Sequence, residues 1–218
     1  MAPRPAKVIA PAWPDLSFES ELSQAGLNFI AGVDEAGRGA WAGPVTAAAV
    51  ILPLDLEGLA GILSGVRDSK QMSPAQREKW VEIVTGNAIA VSVGWAEYDE
   101  IDEIGIVPAT RLAMKRAVQG LDHSVDHLLI DAVKLSDVAI PQTSLIKGDA
   151  RSLSIAAASV LAKVSRDRLM KMLDSDYPGY GFDRHKGYGT AAHQKALASL
   201  GVSAIHRKSY APIKSLLE

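Results

Sequence analysis

Asp34 and Glu35 stand side by side at the end of an apolar run, Phe29-Ile30-Ala31-Gly32-Val33, and Ala36-Gly37-Arg38-Gly39 follows at once. Carboxylates are depleted in strands, and a buried unpaired one costs several kcal/mol or gives up its charge. Either a cation repays that cost, whether divalent metal or basic side chain, or the pair sits at an exposed strand end. A second apolar run, His127-Leu128-Leu129-Ile130, also ends in an acid, Asp131, and Asp149 follows Ile146-Lys147-Gly148 at the mouth of a long helical segment. If the two runs are neighbouring strands, four carboxylates converge on one edge of a sheet. That is the donor set for a pair of Mg²⁺ or Mn²⁺ ions roughly 4 Å apart, which stabilise the attacking and leaving oxygens of a phosphoryl transfer. Cysteine is absent, so thiolate ligands are excluded and hard, oxygen-bound cations are favoured.

Each acid has a plainer use. Asp149 could cap the helix that follows, a role worth about 1 kcal/mol without any metal. Asp131 could pair with Lys134. Asp167, within Ser165-Arg166-Asp167-Arg168, is a rival fourth ligand or a member of a salt-bridged helix face. The acidic stretch Asp99 to Ile104 resembles a metal site in composition alone, and its isoleucines three apart favour a solvated amphipathic turn. Gly37-x-Gly39-x-x-x-Gly43 resembles a dinucleotide loop only weakly: strand residues follow where a helix should open, and the preceding acids would repel a pyrophosphate. The paired glycines fit close approach of backbone to a ligand, here a sugar edge.

The elements that must position these residues alternate between strand and helix patterns. After a short helix around Phe18 to Ala25 and the opening strand come a strand in which Ala and β-branched residues run continuously, Val45 to Leu52, and a third, Ile89 to Ala96. Ser73-Pro74 reads as cap and first position of a helix reaching about Thr85. Pro108 opens another, through Leu121. A long helix is expected from Ala150 to about Leu173, then a surface loop over Tyr177 to Gly189, then short helices at Ala191 to Leu200 and Ala211 to Leu217. The pattern is α/β: a mixed sheet flanked by helices on both faces, with a C-terminal helical extension. Residues 1–16, with four prolines, read as a flexible or extended arm, and residues 17–218 as one catalytic domain.

The 218 residues carry a net charge of −2, but unevenly. Residues 1–146 hold 11 Lys and Arg against 19 Asp and Glu, and residues 147–218 hold 12 against 6. A basic binding face beside an acidic metal cleft would produce such a split. No apolar run approaches the ~20 residues of a membrane span and no signal-peptide core opens the chain. A cytoplasmic protein is expected.

Taken together the motifs resemble the type 2 ribonuclease H (ribonuclease HII) family. The resemblance is carried by Gly32-Val33-Asp34-Glu35-Ala36-Gly37-Arg38-Gly39, Gly43-Pro44-Val45, Asp68-Ser69-Lys70, Leu129-Ile130-Asp131, Lys147-Gly148-Asp149-Ala150, Ala156 through Asp167, and His185-Lys186-Gly187-Tyr188-Gly189-Thr190, all in the family's order. It implies a ribonuclease H-like fold and Mg²⁺- or Mn²⁺-dependent hydrolysis of the RNA strand of RNA·DNA hybrids. It also implies incision at single ribonucleotides in duplex DNA, leaving 3′-hydroxyl and 5′-phosphate ends. By position, Asp34, Glu35, Asp131 and Asp149 match the family's metal-binding carboxylates. Gly37, Arg38 and Gly39 match the loop that recognises the ribose 2′-hydroxyl and its flanking phosphates. Tyr188, with Tyr180 as a competitor, matches the tyrosine that stacks beyond the ribonucleotide, and Ser69 and Lys70 resemble phosphate contacts. For Lys163 and Arg166, structural salt bridges compete with phosphate contact. A monomer acting on nucleic acid, with no membrane partner, is expected.

Two departures stand out. Ala132-Val133 follows Asp131 where many bacterial relatives have glycine and asparagine, and Trp41 sits in the loop region where it could alter substrate approach.

Overall fold

The structure is a computed structural model and describes residues 13–218. Five strands, β1 (Ile30–Ala36), β2 (Val45–Ile51), β3 (Ala90–Ala96), β4 (His127–Asp131) and β5 (Gln142–Leu145), form one sheet in the order β3-β2-β1-β4-β5. The β1–β2 and β2–β3 pairs are antiparallel, whereas β1–β4 and β4–β5 are parallel. The helices are α1 (Ser17–Gln24), α2 (Leu59–Ile62), α3 (Pro74–Asn87), α4 (Tyr98–Ile104), α5 (Ile106–Gln119), α6 (Leu153–Asp176), α7 (Phe182–His185), α8 (Ala191–Leu200) and α9 (Ala211–Lys214).

β2 shows why its run of small and β-branched residues was needed. Val45, Ala47, Ala49 and Ile51 face one core layer with Met114, Ala117 and Val118 of α5, while Ala48 and Val50 face the opposite layer with Val84 of α3 and Ala156, Val160 and Val164 of α6. Successive strand side chains alternate between faces, so a strand covered by helices on both sides has few polar positions to spare, and the one in β2, Thr46, is fully buried with its hydroxyl unpaired among the described residues. The small residues of β1 and α6 let the two approach closely. A Cβ added at Gly32 would lie 2.1 Å from the carbonyl carbon of Ser154, inside any permissible contact.

Several boundaries differ from the sequence expectation. α3 is capped as anticipated by Ser73, which accepts from the Gln76 amide while the Gln76 side chain accepts from the Ser73 amide. α6 begins at Leu153 instead of Ala150, and its cap is Ser152, whose hydroxyl accepts from the Ile155 amide. Pro108 lies within the first turn of α5 rather than opening it, which that turn tolerates because its amides need no intrahelical acceptor. β5 was not anticipated: Gln142-Thr143-Ser144-Leu145 is a four-residue polar edge strand with one buried residue. The stretch expected as a surface loop, Tyr177 to Gly189, is instead a packed corner. Phe182 is fully buried, Tyr180 nearly so, and the pair stacks at 5.2 Å beside Ile205 and Ile213.

Of the expected N-terminal arm, residues 1–12 lie outside the described residues. Residues 13–16 lie against the body: Asp15 bridges to Ser152, and Leu16 packs on the α6 layer.

Candidate active site

Parallel register places the first two acidic positions together. Val33 pairs with Ile130, so Asp34 and Asp131 extend side by side from the carboxyl ends of adjacent strands. Asp149 joins them from a 3₁₀ turn, Gly148–Ala150, and the amide of Gly148 donates to Asp131 Oδ1 at 2.7 Å. Asp34 and Asp149 are 3 % and 7 % exposed. Those figures decide against the exposed strand-end explanation for Asp34, and Ser152 takes the capping role considered for Asp149. Asp131 is engaged by Gly148, and Lys134 makes no ion pair with it among the described residues.

The electrostatics are those of like charges confined together. Burial, then the charges of Glu35 and Asp131, drive the Asp34 carboxyl well above the usual carboxylate range. Burial also raises Glu35 against the pull of Arg38, and raises Asp131 against the Gly148 hydrogen bond. Asp149 is pushed up to about 6 by burial and by Asp68 and Asp131. Burial alone would lower Lys70, yet Asp68, Asp34, Asp149 and Asp131 together hold its ammonium above the usual value. Its Nζ lies 3.9 Å from both Asp68 and Asp149. Glu35 reaches Arg38 through Oε1 at 3.2 Å, while its buried Oε2 has no partner.

These features test whether a cation belongs here. An orphaned carboxylate oxygen and four acids held above their usual range are the signature of a negative cluster awaiting positive charge. As the side chains stand, no three acidic or imidazole groups among the described residues close a ligand shell. Mutually repelling carboxylates facing a shared opening would turn inward only on a cation. The donor set, all carboxylate oxygen, suits Mg²⁺ or Mn²⁺.

The glycine loop forms the next wall. Gly37 adopts φ +94°, and a Cβ there would meet the Arg166 guanidinium at 2.0 Å. At Gly39 the same test meets nothing within 4 Å, so the protein's own packing does not require glycine there and the backbone is left open to the cleft. Glu35, Gly37, Arg38, Gly39, Ser69, Lys70, Lys163 and Tyr188 line a hollow of about 260 Å³. Lys70 also borders the hollow of about 540 Å³ that holds Asp131 and Asp149, so the two are contiguous. Tyr188 is the tyrosine on this wall. Tyr180 is buried and donates to the Gly201 carbonyl at 2.9 Å, which removes it from the competition.

The remaining candidates resolve into scaffolding. Asp167 pairs with Lys163 at 2.6 Å and Arg77 at 3.5 Å, away from the acids. Arg166 is fully buried and makes no salt bridge among the described residues. It donates to the carbonyls of Pro44, Ala42 and Lys186 and lies 5.5 Å from the Tyr188 ring. Arg207, which the sequence reading missed, donates to the carbonyls of Gly43 and Arg38 from the far end of the chain. Asp68 was also missed as a charge of the cluster, although its motif was noted. Trp41 lies over Gly189 and the His193 ring and borders a groove with Leu197 and Pro212, not the hollow beside Glu35.

Comparison with known proteins agrees with this architecture. The profile of the family described as Ribonuclease HII matches residues 31–213. The chain is 52% identical over 200 residues to a ribonuclease HII of Chloroflexus aurantiacus, covering 92% of this chain and 94% of that one. It is 49% identical over 214 residues to a ribonuclease HII of Dehalococcoides mccartyi, covering 98% and 99%. Among solved structures, the ribonuclease H2 of Pyrococcus horikoshii superposes with a TM-score of 0.72 at 25% identity, over 86% of this chain and 96% of that one. With a mixed sheet whose parallel pair carries the buried acids, and relatives matched nearly end to end, the chain belongs to the ribonuclease HII family.

Proposed function

We propose that this protein hydrolyses the RNA strand of RNA·DNA hybrids and incises duplex DNA at single embedded ribonucleotides, leaving 3′-hydroxyl and 5′-phosphate ends. The observation that carries the reading is the convergence of Asp34, Glu35, Asp131 and Asp149 beside a glycine loop with open backbone, in a chain of this family. Asp34, Glu35, Asp131 and Asp149 would hold two divalent ions. Such ions, when bound, supply an activated water and neutralise charge building at the scissile phosphate.

The chain's own residues then divide the remaining work. Gly37 and Gly39 bring backbone within reach of a sugar edge, where the 2′-hydroxyl is the local feature that separates RNA from DNA. Arg38, held in place through its carbonyl by Arg207 and Tyr210, leaves a half-exposed guanidinium for a flanking phosphate. Ser69 and Lys70 border the same hollow, and Lys70, kept protonated by its acidic neighbours, suits a second phosphate contact. Tyr188 presents its ring to the cleft and would stack on the sugar beyond the ribonucleotide. The asymmetry of charge along the chain agrees with a nucleic-acid partner.

The test compares three duplexes under Mg²⁺ and Mn²⁺: an RNA·DNA hybrid, a DNA duplex with one ribonucleotide, and an all-DNA duplex. Cleavage of the first two with mapped 3′-hydroxyl ends supports the reading. Binding without turnover in both metals, or equal cleavage of the all-DNA duplex, overturns it.

A further inference from the structure

Behind the Tyr188 wall, three histidines from different elements are packed together, the first two stacked and the last two tilted and edge to edge. His185 lies 4.4 Å from His193, ring centre to ring centre, and His193 lies 5.2 Å from His206. His193 and His206 are fully buried, and the surrounding rings are those of Tyr180, Phe182 and Trp41. Neither histidine touches the acidic cluster.

The hydrogen bonds between them run in one direction only. His193 Nδ1 lies 3.1 Å from the carbonyl oxygen of Tyr188, which can only accept, so Nδ1 carries the proton. In a neutral ring, Nε2 is then bare. It lies 3.0 Å from His206 Nε2, which must therefore be the protonated nitrogen of its own ring. His206 Nδ1 is left as an acceptor, and there it meets the Ser203 amide at 2.9 Å and the Ser203 hydroxyl at 2.7 Å, while the Ser203 carbonyl, 3.3 Å from the same nitrogen, already accepts from the His206 amide. The chain closes without a missing or surplus proton: Ser203 donates to His206, His206 to His193, and His193 to Tyr188. His185 is fixed likewise, accepting from the Gly187 amide through Nδ1 and donating to the Tyr180 carbonyl through Nε2. Protonating either inner ring would break the sequence, and burial holds both well below the usual histidine range, at about 4.

We infer that the Ser203–His206–His193 relay is a positioning device for Tyr188, with His193 as a specificity-supporting residue that acts through the Tyr188 backbone. The geometry of the recipient favours this use. Tyr188 sits between two clefts, and its ring packs 5.6 Å from Lys163 Nζ and 5.5 Å from the Arg166 guanidinium, while its carbonyl accepts from the Thr190 amide at 2.8 Å as well as from His193, and its amide donates to the His185 carbonyl, so the relay completes the hold on its backbone. An imidazole pair in defined tautomers is a stiffer support than water or a mobile hydroxyl. The inference rests on the reading of Tyr188 as a substrate contact.

Two measurements test it. Nitrogen-15 NMR of the intact protein at pH 7.5 reads the tautomers directly. The relay requires His193 with its proton on Nδ1 and His206 with its proton on Nε2, and the opposite assignment in either ring overturns it. The second is a double-mutant cycle on the single-ribonucleotide duplex. His193→Leu should lower kcat/KM at least tenfold, whereas His193→Asn, whose amide can still donate near the Nδ1 position, should recover most of that loss. In a Tyr188→Ala background His193→Leu should cause no further loss, and an equal loss in both backgrounds overturns the relay. Should His193→Leu not fold, the same cycle is run with His193→Gln, whose longer amide donates near Nε2 rather than Nδ1, and an equal loss in both Tyr188 backgrounds again overturns the relay. A wild-type protein that cleaves nothing would sink the functional reading while leaving the tautomer result standing.

Discussion

Asp149→Asn should make the metal-free protein more stable while removing a proposed metal ligand. In the folded chain this carboxyl holds its proton up to about 6, against 3.8 for the ordinary group. Between those values the native state binds more protons than the unfolded state, so stability falls as pH rises through the window, and the penalty is complete above it. A shift of about two units corresponds to about 3 kcal/mol at pH 7.5, shrinking to about 1 kcal/mol at pH 4.5. Asparagine keeps an oxygen to accept from the Ala150 amide, which the carboxylate already engages. The lost ion pair with Lys70 subtracts little, because that side chain is 79% exposed. Urea unfolding in excess chelator should therefore show Asp149→Asn more stable than wild type by up to about 3 kcal/mol at pH 7.5, or roughly 6–12 °C in Tm for a chain of this size. The gap should narrow on acidification. Adding Mg²⁺ or Mn²⁺ should stabilise wild type more than the variant and so close the gap from the other side. A variant less stable than wild type at pH 7.5 in chelator, or a gap that widens towards pH 4.5, would refute the reasoning.

Three further outcomes follow from the packing. Gly32→Ala should cost about 3 kcal/mol or more, since its Cβ would collide with α6 backbone that cannot swing aside, and a Tm within about 2 °C of wild type would contradict this. Ala132 adopts φ 52°, a left-handed conformation that costs a non-glycine residue about 1–2 kcal/mol. Ala132→Gly should therefore gain about 0.5–1 kcal/mol after the added freedom of the unfolded chain is subtracted, and any loss of stability would show the strain is absent. His193 and His206, neutral down to about 4, leave the unfolded state with more protons between about 4 and 6.5, so stability should fall as pH drops through that range. The loss is up to about 3 kcal/mol per ring, with His185 the only other imidazole stacked on them. His206→Asn should flatten that acid slope, and an unchanged slope would count against the buried neutral pair.

The site was legible where chemistry and local pattern coincide. Asp34, Glu35 and Asp131 end apolar runs, so once the two runs pair in parallel their acids fall at one edge of the sheet, and Gly37-Arg38-Gly39 declares a loop that needs glycine. Asp149 was legible as a ligand candidate but not in its setting, because a 3₁₀ turn and a cap at Ser152, two residues past the expected start at Ala150, leave no periodic trace. β5 escaped because an edge strand, with one face and one side open, needs no apolar alternation. The Tyr177 to Gly189 corner misled because its glycines signal a loop while Tyr180 and Phe182 are buried against α8 and α9, which lie later in the chain. Arg166 and Arg207 show the same limit. Each satisfies backbone carbonyls more than 120 residues away, and nothing near either arginine in sequence announces that.

The most direct test of the central claim is the rate at which wild type and Asp34→Asn cleave a DNA duplex carrying one ribonucleotide, with Mg²⁺ or Mn²⁺ present and product ends mapped. If the buried carboxylates are the metal-holding machinery, wild type cuts at the ribonucleotide and the variant, folded and at least as stable, loses at least a hundredfold in rate. Undiminished metal-dependent cutting by Asp34→Asn would contradict the account.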